Sequence, residues 1–208
     1  MKKIPTMFKR EFKDHKVIGV LPEFTNPICM DALFLGIPTV KFDGSCCAVI
    51  GDRFYKRYDA KKGKTIPENA IKCQDEPDTT TGHLPCWVPV EPNNPADKWF
   101  IKAFNNFSNK NKITNGTYEA IGPHFQGNPY NLKEDTLVEH GKEMITDFQV
   151  PELKSIDTDF LINYISNYLQ HFNHEGIVFW YNGEPICKIK RSDFGLDWPI
   201  KEQDNDSN

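Results

Sequence analysis

Apolar residues recur at helical spacing, every three or four positions, in three stretches of this 208-residue chain. The stretches are 28–35, 99–107 and 160–172. Pro27, after Asn26, suits the first position of the first helix, the segment 94–97 can cap the second, and Asp157 can cap the third. This pattern predicts three helices, the second with an apolar stripe in the core and the third packed on a sheet.

Short apolar or alternating runs bounded by turn residues predict strands between and after these helices. The predicted strands are 17–21, 46–50, 53–58, 85–90, 117–121, 177–181 and 185–190. Gly51-Asp52 and Asn182-Gly183 predict hairpin turns, and the first hairpin is expected to place Arg57 and Lys41 on one small sheet. Residues 8–16 lack a clear period and are expected to form an irregular or helical lead-in, while 61–81 is expected to be a long polar excursion.

Composition indicates one globular domain. Hydrophobic residues make up 38% of the chain and aromatic residues 12%, which is enough for a core. We expect a single domain over 1–200 and a disordered polar tail over 201–208. No apolar run reaches the about 20 residues of a membrane helix, and the N-terminus lacks a secretory signal. These features predict a cytoplasmic protein without a membrane partner, whose six cysteines are free thiols.

Charge and cysteine spacing exclude two broad classes. The net charge of −4 argues against a protein that coats nucleic acid generally. Six basic residues and one acidic residue within 53–64 nevertheless fit a phosphate-bearing ligand, with a solvated charged strand as the alternative. No C-x-x-C pair occurs, and Cys73, His83 and Cys86 have irregular spacing, so we expect no zinc site.

Lys41 begins the K-x-D-G sequence that ends at Gly44, directly before an apolar strand. A lysine in such a loop can reach into a pocket, where partial burial or neighbouring cations would favour the neutral, nucleophilic amine. Asp43 could orient the lysine, and Gly44 would allow a ligand to approach the backbone. A solvated Lys and Asp at a turn is the alternative.

Charged residues also occur inside predicted strands, where they need a partner. Glu119 lies in one strand and could form a cross-strand ion pair. Glu175 opens the last hairpin, and Lys188 and Lys190 project from one face of its second strand. Two lysines and a carboxylate form a poor core but a good site for polyphosphate and metal, although exposed edge lysines would look the same.

In order along the chain, these elements resemble the motifs of the covalent nucleotidyltransferases, a superfamily of DNA and RNA ligases and mRNA capping enzymes. The elements are K-x-D-G, a basic strand with Arg57, Glu119, E-G-I-V from Glu175, and K-x-K from Lys188. Within the superfamily, the vertebrate-type 5′-to-3′ ATP-dependent RNA ligases are most similar to the stretches KFDGSCC, EAIGPHFQGNPY and KIKRSDFGLDWP. The resemblance implies an α+β, ATP-grasp-like nucleotidyltransferase domain with antiparallel sheets flanked by helices and no OB-fold domain.

The resemblance also implies a mechanism and its residues. Lys41 would attack the α-phosphorus of ATP to give lysyl-AMP, AMP would pass to the 5′-phosphate of RNA, and the 3′-hydroxyl would displace it. Lys188, assisted by Lys190, would neutralise the α-phosphate. Glu175 would hold Mg²⁺ (or Mn²⁺), and Glu119 would contact the ribose or the metal.

The same resemblance assigns the nucleotide contacts. Thr39 and Val40 would offer backbone groups to adenine, and Arg57 would contact the nucleotide. Asp43 and Gly44 would shape the loop around Lys41.

Departures from the superfamily pattern leave alternatives open. Cys46 stands where many members carry Arg, and the chain is short after the paired lysines, so a protein partner could replace a C-terminal domain. A capping guanylyltransferase or DNA ligase is the second hypothesis. A non-catalytic module that binds nucleotide or RNA ends is the third, although pure binding would not need a nucleophile.

Overall fold

The computed structural model describes residues 1–14, 16–79, 81–151, 155 and 157–200. These residues form eleven strands, three helices and two short 3-10 turns. The elements are β1 (Phe8–Lys13), β2 (Lys16–Phe24), α1 (Pro27–Leu35), β3 (Ile37–Lys41), β4 (Ser45–Ile50), β5 (Arg53–Ala60), β6 (Ile71–Lys72), β7 (Leu84–Pro89), a 3-10 turn (Pro95–Asp97), α2 (Lys98–Ser108), β8 (Gly116–Ile121), β9 (Thr136–Glu139), α3 (Thr158–Gln170), β10 (Gly176–Tyr181), β11 (Glu184–Lys190) and a 3-10 turn (Arg191–Phe194). None of the described helices has the length and apolar character needed to cross a membrane.

The chain divides into two compact units. The sheet unit comprises Met1–Lys3 and Asp43–His140, and the lysine unit comprises Ile4–Phe42 and the chain from Gly141 onward. Both units are α+β with antiparallel sheets, as the sequence predicted. The tail predicted over 201–208 lies outside the described residues.

The sheet unit contains one six-stranded sheet with the order β6-β7-β5-β4-β8-β9. Helix α2 covers one face of this sheet, on which Cys47, Tyr118 and Ala120 are fully buried. Because side chains alternate along a strand, Cys46 and Glu119 point to the other face. The sheet thus has one face covered by α2 and a second, here called the polar face, where charged side chains lie beside a smaller buried cluster of Ala48, Tyr55 and Trp87.

The lysine unit is built on a three-stranded sheet with the order β11-β10-β3 and a separate β1-β2 hairpin. Its core joins α1 and α3 to the sheet through fully buried residues: Leu161, Ile165, Leu169, Ile177, Phe179 and Ile189. Each such side chain contributes about 1.5–3 kcal/mol to folding relative to an exposed position. Asp157 caps α3, as predicted, by accepting a hydrogen bond from Phe160 N, and Asn26 caps α1 by accepting one from Cys29 N.

Two predictions about local structure were wrong. Residues 8–16 were expected to be irregular or helical, but 8–13 pair with β2 as a strand, and Phe8 packs on Phe24 with ring centroids 5.1 Å apart. Arg57 and Lys41 were expected on one sheet, but Arg57 lies in β5 and Lys41 ends β3, which pairs with β10. In both cases a tertiary pairing that local periodicity does not reveal decides the structure.

Candidate active site

Glu175 joins two of the predicted lysines in the lysine unit. Gly176, the next residue, pairs with Lys41 on one side and with Lys190 on the other, so the neighbouring strands bring both ammonium groups to one carboxylate. Lys41 Nζ donates to Glu175 Oε2, and Lys190 Nζ lies in ion-pair contact with Oε1. The two oxygens of one buried carboxylate therefore hold two cations from different strands.

The charge of Glu175 depends on these lysines. Burial by itself would raise the pKa of this carboxyl, but the charges of Lys41 and Lys190 hold the pKa below its ordinary value. The side chain is only 8% exposed, so solvent screens the ion pairs weakly. Glu175 is therefore an anion in the folded protein and fixes the position of the Lys41 amine.

Lys188 is the third lysine of the cluster, and its surroundings disfavour its charge. Burial first, then repulsion from Lys41, Lys190 and Arg10, lowers the pKa of Lys188 to about 8. Within the described part of the chain, no carboxylate forms an ion pair with Lys188 Nζ. A half-buried cation among other cations is suited to an anionic ligand such as a phosphate.

Arg10 is a member of this cluster that the sequence analysis missed. Its guanidinium donates through Nε to Asp193 Oδ1 at 2.8 Å, and a second nitrogen lies 2.6 Å from the same oxygen. Asp193 Oδ2 also accepts from Lys190 N at 3.0 Å. Asp193 therefore positions both Arg10 and the end of β11. The basic run around Arg10 was the available signal, but its strand was not predicted.

Gly176 is required where it stands because its neighbours leave no room for a side chain. A Cβ at this position would lie 2.0 Å from Ile189 O and 2.9 Å from Lys190 Cα. The close approach of β10 to β11 sets the distance between Glu175 and the lysines. The glycine of E-G-I-V thus has a packing role that the motif alone does not state.

The polar face of the six-stranded sheet carries two more predicted residues. Glu119 lies opposite Cys46, and its Oε2 is 3.0 Å from His140 Nε2. Arg57 lies opposite Trp87, with its guanidinium carbon 5.7 Å from the ring centroid, and donates to Asp59 Oδ1. His140 and Trp87 were not predicted as site residues, since neither lies in a recognised motif.

Asp43 and Gly44 shape the start of β4 within the sheet unit. Asp43 N donates to Tyr130 Oη at 2.6 Å. A Cβ on Gly44 would lie 2.3 Å from Ala120 O and 2.9 Å from Glu119 Cγ. Only glycine lets this turn approach β8 so closely, so Gly44 contributes to how the backbone packs beside Glu119.

Thr39 and Val40 have partners within the lysine unit. Val40 N donates to Glu143 O at 2.9 Å, and the Thr39 hydroxyl donates to Val178 O at 3.1 Å. These two donors are therefore engaged by the protein itself. Adenine binding through these residues stays a prediction.

Four of the predicted residues form one cluster in the lysine unit, which also contains Thr39 and Val40: Lys41, Glu175, Lys188 and Lys190. The others in the sheet unit are Asp43, Gly44, Arg57 and Glu119. The first group defines a class of site: a buried carboxylate within a cationic cluster, able to bind an anion beside a lysine amine.

Comparison with known proteins finds similarity to RNA ligases. The model of the family described as RNA ligase 1 matches residues 107–207. RNA ligase 1 of Pongo abelii is 25% identical over 261 aligned residues, covering 93% of this chain and 78% of that protein. RNA ligase 1 of Rattus norvegicus is 24% identical over 257, with the same coverage, and that of Danio rerio is 28% identical over 147, covering 58% and 43%. The chain is therefore similar to RNA ligase 1 proteins over most of its length.

Proposed function

We propose that this protein is an ATP-dependent RNA ligase that joins a 5′-phosphate to a 3′-hydroxyl through lysyl-AMP. The observation that carries the proposal is the contact of the Lys41 amine with Glu175, beside Lys188 and Lys190. The similarity to RNA ligase 1 proteins supports it independently.

In the first step, Lys41 Nζ must lose a proton to solvent before it can attack the α-phosphorus of ATP. A nitrogen–phosphorus bond forms, the bond to the leaving oxygen breaks, and pyrophosphate departs. Repulsion from Lys41 is one cause of the lowered pKa of Lys188, which shows how much positive charge the site gathers. These cations neutralise charge on the phosphate while the bonds change.

In the second step, an oxygen of the RNA 5′-phosphate attacks the same phosphorus, and the Lys41 amine leaves. In the third, the 3′-hydroxyl attacks the 5′-phosphorus, a proton is released, and AMP leaves. Lys188 and Lys190 are assigned to the charge on the α-phosphate throughout. Arg57 and Glu119, from the sheet unit, are assigned to the nucleotide and its ribose.

A divalent cation fits this chemistry through Glu175. The loss of the proton from Lys41 weakens its ion pair with Glu175 Oε2, which leaves that oxygen available to Mg²⁺ or to a water bound by it. The ion would supply further neutralisation of phosphate charge. Carboxylate oxygen is the donor that Mg²⁺ prefers, and Mg²⁺ keeps several waters, so one carboxylate is sufficient.

The proposal is tested by a ligation assay on matched strands that carry a 5′-phosphate and a 3′-hydroxyl, one set RNA and the other DNA, with ATP and Mg²⁺. We expect sealed RNA and little sealed DNA. A second set of RNA strands without the 5′-phosphate is the control and should not be sealed. Sealing of DNA alone, or sealing without ATP, would contradict the proposal.

A further inference from the structure

Three side chains of the kind that bind metal ions meet on the polar face of the six-stranded sheet. Cys46 and Glu119 are directly opposite each other in the β4–β8 pair, and His140 follows β9. One sulfur, one carboxylate oxygen and one imidazole nitrogen of these residues lie within 4.8 Å of one another. They come from three neighbouring strands or strand ends, so the sheet holds their spacing.

A neighbouring hydroxyl orients the imidazole. His140 Nδ1 lies 3.0 Å from Thr117 Oγ1, and Nε2 lies 3.0 Å from Glu119 Oε2. When Nδ1–H donates to Thr117, the lone pair of Nε2 faces an anionic oxygen. In the other tautomer the Thr117 hydroxyl donates to Nδ1 and Nε2–H donates to Glu119, and a bound cation would take the place of this proton. The side chains of His140 and Glu119 are only 18% and 12% exposed, so the protein shields this pair from water.

We propose that Cys46, Glu119 and His140 form a binding site for one borderline divalent cation such as Zn²⁺. Sulfur and nitrogen donors suit Zn²⁺ and disfavour Mg²⁺, which requires oxygen ligands. Ligand atoms in a tetrahedral zinc site lie roughly 3.4–3.6 Å apart. The imidazole nitrogen and the carboxylate oxygen, 3.0 Å apart, therefore need to separate slightly, and the sulfur, within 4.8 Å of the other two atoms, needs to approach them. Binding replaces the thiol proton of Cys46 with the metal and releases that proton to solvent.

Three protein ligands leave one position of a tetrahedral ion open. The occupied site also withdraws the carboxylate of Glu119 from any other ligand. In the proposed function, Glu119 contacts the nucleotide. Resting on that function, we expect micromolar Zn²⁺ to inhibit adenylylation through this site.

The first experiment titrates the metal-free full chain with Co²⁺ in the absence of nucleotide and RNA. We expect one equivalent to produce a thiolate-to-cobalt absorption band in the near ultraviolet, and Zn²⁺ to abolish it. Cys46→Ser should remove the band, and His140→Asn should weaken Zn²⁺ affinity by about tenfold or more. Cys73→Ser, which changes another half-buried thiol of the sheet unit, is the matched control and should keep the band.

Absence of the band in the native chain, or its loss in Cys73→Ser with retention in Cys46→Ser, would overturn the site. The second experiment compares labelling by ATP in excess Mg²⁺ with and without Zn²⁺. Native protein should be inhibited and Cys46→Ser resistant, whereas equal inhibition would refute the link to Glu119. If neither protein is labelled at all, the proposed function fails, and the cobalt titration still decides the metal site.

Discussion

Lys188 lies beside Lys41, Lys190 and Arg10, and with burial their charges lower its pKa to about 8. At pH values between about 8 and the ordinary lysine pKa of 10.5, the unfolded chain therefore binds more protons than the folded protein. Stability linked to Lys188 rises with pH across that window and is lowest when both states are fully protonated. Below pH 8, the folded protein retains a charge that the fold disfavours.

We predict that Lys188→Met increases the free energy of unfolding at pH 7, by up to about 3 kcal/mol. The variant should also lose the rise in stability between about pH 8 and 10.5 that Lys188 contributes. Urea unfolding of both proteins at several pH values measures this. An unchanged or lower stability at pH 7 would show that Lys188 is paired or well solvated.

The two lysines of β11 should differ in catalysis. Lys190 shares Glu175 with Lys41, whereas Lys188 has no ion pair with a carboxylate in the described residues, so its charge is available to phosphate. We predict that Lys188→Ala lowers the adenylylation rate by about 100-fold or more, as loss of a charge-stabilising group in an active site does. The native rate should also lose this contribution as the pH rises through the Lys188 pKa of about 8, and the variant should lack that pH dependence.

Lys190→Ala is the matched variant for that comparison, and its defect should be smaller because Arg191 or solvent can partly replace the charge. Adenylylation rates across a pH series measure both effects. Equal defects, or a larger defect in Lys190→Ala, would reverse the assignment of the two lysines.

Glu175 should have a separate effect on stability at acid pH. Its pKa is lowered in the folded protein, so its contribution is present above the unfolded value of 4.5 and is lost as pH falls through the folded value. We predict that Glu175→Gln lowers stability at pH 7 by about 1–3 kcal/mol, because Lys41 and Lys190 lose a charged partner.

That difference from the native protein should shrink below pH 4.5. Thermal unfolding at pH 7 and at pH 3.5 checks it, with Glu184→Gln at the exposed start of β11 as the control. A difference that stays constant with pH would mean that the charge of Glu175 does not stabilise the fold.

At the level of elements, the spacing of β10 and β11 determines the cluster. A methyl group at Gly176 would meet Ile189 O at 2.0 Å. Gly176→Ala should cost about 1–3 kcal/mol or more of stability through overpacking and should reduce adenylylation by separating Glu175 from the lysines. Gly19→Ala, in β2 of the same unit, meets nothing within 4 Å and is the control. Equal activity of the two variants would argue against a tightly set spacing.

The elements that the sequence predicted well are those whose information is local. Asn182-Gly183 predicted the β10–β11 hairpin, and Asp157 predicted the start of α3. The pairing of Lys41 with Gly176 could not be predicted, because the residues are far apart in sequence and pairing leaves no periodic trace. Arg10 was missed for the same reason, since β1 is a strand only through its partner β2.

At the scale of the whole molecule, the sequence predicted the charged residues of the cluster, but it did not predict that the site residues are divided between two units. Motif order identified Lys41, Glu175 and the lysine pair, and the structure brings these together. The sequence did not show that the chain passes from the lysine unit to the sheet unit between Phe42 and Asp43. It also did not show His140 beside Glu119, because a contact across a sheet depends on register.

The central claim is that Lys41 is the nucleophile that accepts AMP. The direct measurement is incubation of the chain with α-phosphate-labelled ATP and Mg²⁺, with GTP in parallel, followed by mass-spectrometric mapping of the labelled peptide. The account predicts one AMP on Lys41, labelling by ATP and not by GTP, and no labelling of folded Lys41→Ala. Folding of that variant is checked by its unfolding transition. Labelling of Lys41→Ala, mapping to another residue, or labelling by GTP alone would contradict the account.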